Sequence, residues 1–394
     1  MLIDSVKQVK SYLFNFSLSV LVSDCIIDPS DTIFRLKVWL LGISIILGLL
    51  TVRLKKEVVL FSLFIWFVFP FFYFILGLIN FQYYSLDIAF SQWKPYLLFL
   101  LLPFITNSYL NNYAQLTFLI ILVSFIALYF ILFYDIFLLE PFIGEYENTL
   151  KIARREFGSF EVLMIYHNSV SLLLFGLGLS LFYSRYSFKY SLLAILSLIV
   201  LFFSSTRANW IATVAVFLFH LYQRYFVSSL KLKIVSILIA LVSFFIALPG
   251  IILTFFSKDE SSLSDKMSFI DDYYINWINS PLNLIFGQGL GNGIRTGLRG
   301  ISYNLEFTFL EIIRIYGILG FFLFFLFFIY PAFIFIKFGS KTKSSGLYNY
   351  LFFTYLIYVL LVLPSNPLLF SSNGFIMLLV FYSEMLIMKR QSNE

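Results

Sequence analysis

The feature that most constrains this chain is the length of its uncharged apolar runs. No charged residue occurs between Val58 and Leu86, nor between Ile315 and Ile336. Runs of about 15 to 25 apolar residues recur along the sequence, the length at which a helix crosses a hydrocarbon core of roughly 30 Å. Lipid offers the backbone no hydrogen-bond partner, so each such run has to be helical. What remains cannot cover a soluble fold: 12% of the 394 residues are charged and 60% are hydrophobic, against roughly 25% charged in an ordinary soluble domain. Mean hydropathy is +0.92.

These runs predict an all-α, polytopic integral membrane protein of about twelve transmembrane helices, forming one membrane domain over residues 1–394. The predicted spans are 11–27, 36–52, 57–80, 95–110, 115–139, 163–183, 190–204, 208–223, 234–256, 306–336, 348–363 and 374–388. An even number returns both termini to one side. Placing them in the cytoplasm puts Lys7, Lys10, Arg53, Lys55, Lys56, Arg185, Lys189, Arg224, Lys231, Lys233, Lys337, Lys341, Lys343, Lys389 and Arg390 inside, with only Asp4, Glu57, Glu384 and Glu394 as acids. That asymmetry is the positive-inside bias of an inserted protein. The net charge of +6 therefore reports orientation, and nucleic acid is not expected as a partner. The Lys7–Cys25 stretch has the charge pattern of a signal peptide, but Val22-Ser23-Asp24 fits no cleavage site and an uncleaved first helix is expected. A single cysteine, Cys25, excludes an internal disulfide and any multi-cysteine metal site.

Two predicted extracytoplasmic loops, at about 140–162 and 257–305, are long enough to hold chemistry. Ionisable groups at membrane depth default to functional candidates. Ser204-Ser205-Thr206-Arg207-Ala208-Asn209-Trp210 places an arginine between two spans at the outer face, where its donor fork suits phosphate oxygens. An interfacial arginine snorkelling beside Trp210 is the competing reading. Phe286-Gly287-Gln288-Gly289-Leu290-Gly291-Asn292-Gly293 imitates a dinucleotide fingerprint but lacks the βαβ context that motif needs. Its glycines are expected to admit a bulky ligand or to permit a tight turn. Arg295 and Arg299 follow at a spacing that would place both on one side of a short helix, unless they are ordinary surface charges. Beyond them, Glu306 opens a span, while Glu311 and Arg314 stand three residues apart, as an ion pair within one helix would. His167 and His220 fall at opposite membrane faces on this map, so no shared metal site is expected. His167 near the outer face is a candidate titrating group or a hydrogen-bonded interfacial residue; His220 reads as structural. No Walker loop is present, so an activated substrate has to supply the energy.

In chain order, the serine-threonine-arginine turn ending at Arg207, the loop with Phe286-Gly287-Gln288-Gly289-Leu290-Gly291, and the helix with Tyr316-Gly317-Ile318-Leu319-Gly320 resemble the O-antigen polymerase and ligase superfamily. The specific features lie between Arg154 and Gly320. The resemblance implies a glycosyltransferase at the outer face of the bacterial cytoplasmic membrane, acting on sugar chains carried by a polyprenyl diphosphate lipid, without metal or cofactor. It implies catalytic roles for Glu306, as the base that takes the acceptor hydroxyl proton, and Arg207. Arg207, Arg295 and Arg299 would neutralise the departing diphosphate. Asn304, Arg154, Arg155, Lys266, His167 and Arg314 complete the expected substrate-contacting set. Tyr273, Tyr274, Trp277 and Tyr303 would stack on sugar rings or form an interfacial aromatic belt. The ligase branch carries a His-Asn pair where this chain has Tyr303-Asn304-Leu305-Glu306, which favours a polymerase, with a chain-length regulator protein as a partner. A ligase, a lipid-linked oligosaccharide flippase or transporter, and a non-catalytic scaffold are the alternatives. A transporter is expected to show inverted repeats and broken helices, and the sequence displays no repeat.

Overall fold

The structure is a computed structural model that describes residues 2–28, 35–52, 54–81, 83–105, 117–126, 150–157, 160–167, 169–204, 206–226, 261–298, 300–303, 308–339, 345–362 and 372–391. It is mostly helical. The chain packs as two compact units, each drawn from separate stretches: residues 1–112, 265–342 and 363–394 form one, and residues 113–264 and 343–362 the other. Among the described residues, Lys56–Asn80 and Thr308–Phe335 are long and apolar enough to cross a membrane. Lys37–Thr51, Thr117–Ile126, Val170–Tyr183 and Phe188–Phe203 are shorter apolar helices.

The first unit begins with α1 (Leu2–Ile27), α2 (Lys37–Thr51) and α3 (Lys56–Asn80). It continues through α4 (Leu86–Trp93), which runs into a 3₁₀ stretch at Lys94–Phe104. The expected span over 95–110 therefore starts as 3₁₀ rather than α, and Pro95 and Pro103 within it remove the donors an α-helix would use.

Two prolines in this unit, Pro70 and Pro331, interrupt apolar α-helices, and each interruption is repaired in the same way. A proline has no N–H for the carbonyl four residues earlier. Upstream of Pro70, the Trp66 carbonyl accepts from the Trp93 indole nitrogen at 2.9 Å, and α3 widens to a π-turn over Phe64–Val68. Upstream of Pro331, the Phe327 carbonyl accepts from the Tyr382 hydroxyl at 2.6 Å. Each donor comes from a neighbouring segment, so each repair also ties two segments together. In a setting without water, an orphaned carbonyl costs several kcal/mol.

The second unit holds Thr117–Ile126 (α5), α6 (Leu173–Tyr183), α7 (Phe188–Phe203), α8 (Arg207–Leu221) and α12 (Ser345–Ile357). It also holds an antiparallel hairpin, β1 (Leu150–Phe157) and β2 (Phe160–His167), in register from Leu150 opposite His167 to Phe157 opposite Phe160. The hairpin corrects the start of the expected span over 163–183. Within the expected outer loop, residues 150–157 and 160–162 form strands, and residues 163–167 are strand rather than the start of a helical span. The run Val162-Leu163-Met164-Ile165-Tyr166 is five apolar residues long, and periodicity alone does not separate a short buried strand from a helix. The expected ninth span, 234–256, lies outside the described residues.

The expected large loop at 257–305 also holds regular elements within residues 261–298 and 300–303. It contains α9 (Ser261–Asn279), α10 (Pro281–Phe286) and a small hairpin of β3 (Ile294–Thr296) with β4 (Gly300–Ser302). The first unit then closes with α11 (Thr308–Gly339) and α13 (Ser372–Gln391).

Candidate functional site

Helix α11 is broken at Gly317, whose φ of 67° and ψ of 177° lie outside the helical region. The break frees three successive carbonyls, and each finds a partner in the same unit. Arg314 O accepts from Gln288 N at 2.8 Å and Ile315 O from Gly289 N at 2.9 Å. Tyr316 O accepts from the Tyr73 hydroxyl at 3.0 Å. The glycine-rich segment thus crosses the break as a pseudo-strand. On its other side Leu290 N donates to Tyr73 O at 2.9 Å, and Ser85 N donates to Gly291 O at 2.8 Å. The Gly291 N–H reaches Gln92 Oε1 at 2.9 Å.

This crossing explains the glycines, and it corrects the expectation that they admit a ligand or merely turn the chain. Gly287, Gly289 and Gly291 all have φ between 82° and 87°, a region side chains other than glycine rarely adopt. A Cβ on Gly289 would lie 2.1 Å from Gly77 N, and one on Gly77 would lie 2.1 Å from Leu290 O. Gly287 and Gly317 face each other similarly: a Cβ on Gly317 would sit 2.3 Å from Ile285 O and 2.5 Å from Gly287 N. The close approach is backbone on backbone, between the segment and two helices.

Arg314 is the centre of the site. It is fully buried, and Glu311 beside it is 1% exposed. Its Nε donates to Glu311 Oε2 at 2.8 Å and one Nη2 hydrogen to Glu311 Oε1 at 2.5 Å, a bidentate pair at the predicted three-residue spacing. Nη1 donates to Gln288 Oε1 at 3.0 Å and to Asn292 O at 2.5 Å, and the second Nη2 hydrogen goes to Tyr303 O at 3.0 Å. All five N–H groups are thereby used. Arg314 was expected to contact substrate; here its guanidinium holds three chain segments in place, because the glycine crossing brings their carbonyls within its reach. Glu311 Oε2 also accepts from the Tyr273 hydroxyl of α9 at 2.7 Å. Burial, reinforced by the Glu311 carboxylate, raises the Tyr273 phenol above the usual tyrosine range and keeps it a donor. A buried ion pair persists only when further hydrogen bonds satisfy it, and this pair has them.

Several buried polar atoms around this hub have no partner among the described residues: Asn276 Nδ2, Trp277 Nε1, Asn292 Oδ1 and the Tyr84 hydroxyl. Asn276 Oδ1 accepts from Gln288 Nε2 at 3.0 Å, and Asn292 Nδ2 donates to Gln288 O at 2.7 Å, so both amides belong to the same network. Trp277 stacks on Tyr273 with ring centres 5.6 Å apart and packs on a cluster of Phe269, Tyr273 and Ile294. Tyr303 O accepts a second bond from Gln92 Nε2 at 3.3 Å. The carbonyl just before Asn304, Leu305 and Glu306 is thus clamped twice.

The other expected residues distribute as follows. Arg295 lies exposed on β3, opposite Ile301. The expected short helix carrying Arg295 and Arg299 is replaced by the β3–β4 hairpin, whose turn is fastened to α9 by Gly297 N donating to the Asp272 carboxylate at 3.3 Å. Lys266 falls on α9. Arg299, Asn304 and Glu306 lie outside the described residues. The second unit carries Arg154 and Arg155 on β1, opposite Leu163 and Val162, and Arg207 at the first position of α8. There the turn is ordered by Asn209 Nδ2 donating to Ser204 Oγ at 3.3 Å, and by the Trp210 indole donating to Phe202 O at 3.0 Å. His167 is 3% exposed and its Nδ1 accepts from Ser169 N at 3.1 Å. His220 is buried with Nδ1 2.7 Å from the Tyr350 hydroxyl.

Sequence reasoning assigned no role to Gln92, Gln288 or Asn292. Their available signal was modest: amides beside glycines, or at the polar end of an apolar run. Among the described residues, no group of three or more His, Cys, Asp or Glu is arranged to hold a metal. No family model matches the chain, and no curated protein matches it.

Proposed function

We propose that this chain is a multi-pass glycosyltransferase of the bacterial cytoplasmic membrane, with both termini cytoplasmic, that polymerises oligosaccharide repeat units carried on polyprenyl diphosphate into a surface polysaccharide. In the reaction, an acceptor sugar hydroxyl attacks the anomeric carbon of the donor. The new glycosidic C–O bond forms as the C–O bond to diphosphate breaks, and the lipid diphosphate leaves with the bonding pair. Glu306 takes the hydroxyl proton, and Arg207, Arg295 and Arg299 stabilise the charge on the leaving group. The bond to diphosphate is already activated, so neither nucleotide nor cofactor enters.

The observation that carries this reading is the set of buried amide and indole atoms at Asn276, Trp277 and Asn292 that have no partner among the described residues. Asn276 and Asn292 are joined through Gln288, which Arg314 also holds, and Arg314 in turn clamps the Tyr303 carbonyl that leads into Asn304 and Glu306. An aromatic face with adjacent donors and acceptors matches the alternating apolar and hydroxylated faces of a sugar. Arg314 is a positioning residue in this scheme, acting through Tyr303.

A second reading draws on a different observation. Helix α11 is interrupted at Gly317 beside a buried ion pair, and discontinuous helices with liberated carbonyls are how transporters build substrate sites. One experiment separates the two. Surface glycans are resolved on a gel from cells whose chromosomal copy is deleted and complemented with wild type, Arg207→Ala or Glu306→Gln at matched protein levels. Surface glycans of a single repeat unit in the deletion and both variants are the expected outcome. Repeat units retained on lipid at the cytoplasmic face would instead establish the transporter, and full-length chains left on the lipid would establish a ligase.

A further inference from the structure

A cleft of about 440 Å³ opens in the first unit, lined from α3, the Lys94–Phe104 stretch, α11 and α13. Its volume lies within the range of roughly 300–1,000 Å³ that ligand sites occupy. On α3 it is lined by Glu57, Phe61, Phe64, Ile65 and Phe69, residues that follow one helix face over twelve positions, or about 18 Å of rise. Opposite stand Leu323, Leu326 and Tyr330 of α11, with Tyr382 and Leu386 of α13. Phe64, Leu323 and Leu326 are 48, 54 and 61% exposed, so the wall is open along its length. The shape is a long apolar slot. Its charged residues, the exposed Glu57 and Lys389, are confined to the mouth; the Tyr382 hydroxyl between the ends is spent on the Phe327 carbonyl, and Tyr96 at the deep end contacts the Tyr316 hydroxyl at 2.5 Å.

We propose that this cleft is a lipid-binding site that takes one acyl chain of a phosphatidylethanolamine from the cytoplasmic leaflet, with the head-group ammonium at Glu57 and the phosphate at Lys389. An apolar slot in a membrane helix bundle has no use for water, and a hydrocarbon chain restores the dispersion contacts its walls would lose if empty. The charge pair at the mouth chooses the head group. One carboxylate and one ammonium complement a zwitterion, whereas Glu57 opposes an anionic lipid and opposes the multiply charged diphosphate still more. Both mouth residues belong to the positive-inside face, opposite to the side on which glycosyl transfer is proposed. The inference rests on the membrane placement of α3 and α11, and not on the transfer reaction.

The test is native mass spectrometry of the full chain, extracted in detergent from membranes containing phosphatidylethanolamine, phosphatidylglycerol and polyprenyl diphosphate. Carbonate washing before extraction establishes membrane integration, so failure of the membrane reading is seen separately. The wild type is expected to retain one phospholipid of phosphatidylethanolamine mass. Leu326→Trp and Val58→Trp, both at positions that line the slot, are expected to reduce that adduct at least tenfold while eluting as the wild type does on size exclusion. Glu57→Lys is expected to keep the adduct but shift selectivity towards phosphatidylglycerol by up to about fivefold, the scale of an exposed charge pair. An adduct undiminished in folded tryptophan variants overturns the site. A polyprenyl adduct, or a head-group preference unmoved by Glu57→Lys, overturns the assignment of its occupant. Surface polysaccharide from the same cells reports independently on the transfer reaction, which these variants are expected to leave intact.

Discussion

Arg314 shows how one side chain can decide the conformation of several segments. Its guanidinium joins α11, the glycine crossing and the chain leading to Asn304, and Glu311 neutralises it. Removing one member of such a pair leaves an uncompensated buried charge, costing about 3–5 kcal/mol, whereas removing both together costs far less. Glu311→Gln is therefore expected to destabilise the detergent-solubilised protein strongly. The double variant Glu311→Gln with Arg314→Met should recover much of the loss, as read from the fraction surviving stepwise heating. Recovery of folding without recovery of polymer on the glycan gel would identify Arg314 as a positioning residue rather than a merely structural one. If the double variant is as unstable as the sum of the singles, the pair is not coupled. The pair itself was legible from the three-residue spacing; Gln288, Asn292 and Tyr303 as acceptors were not, because they lie 26, 22 and 11 residues away.

At the level of elements, helices α3 and α11 are built around their interruptions. The Tyr382 hydroxyl serves the Phe327 carbonyl that Pro331 leaves without a donor, and this division of labour predicts a thermodynamic cycle. Tyr382→Phe alone is expected to cost about 1–3 kcal/mol, the penalty for a buried group left unpaired. In a Pro331→Ala background the alanine N–H can take over the Phe327 carbonyl, so the same substitution should cost clearly less. Equal costs in both backgrounds, measured by thermal melts, would refute the repair. From the sequence, the prolines announce where helices are interrupted, but the donors that repair them are 27 and 55 residues from the carbonyls they serve. The hairpin of β1 and β2 was missed for another reason: five apolar residues are compatible with either period, and only pairing with a second strand decides.

For the whole molecule, the charge asymmetry predicts an orientation that the chain's cysteine content makes easy to measure. Cys25, the only cysteine, is buried, so single cysteines introduced on a Cys25→Ala background report cleanly. Positions 186 and 341 are expected to resist a membrane-impermeant maleimide in intact cells, while positions 271 and 298 are labelled. Labelling of 186 or 341 from outside would invert the map and with it the side on which both the transfer reaction and the lipid cleft are placed.

Hydrophobicity and charge belong to residues irrespective of their neighbours, and so the sequence by itself determined that this chain is helical, that α3 and α11 are long and apolar enough to cross a membrane, and where the Glu311–Arg314 pair forms. The purpose of the glycines, the partners of Arg314, the hairpins within the expected loops and the cleft beside α3 were decided only in the tertiary structure. The glycine crossing and the partners of Arg314 in particular depend on backbone groups that one segment leaves unsatisfied and another, distant in sequence, approaches closely enough to complete.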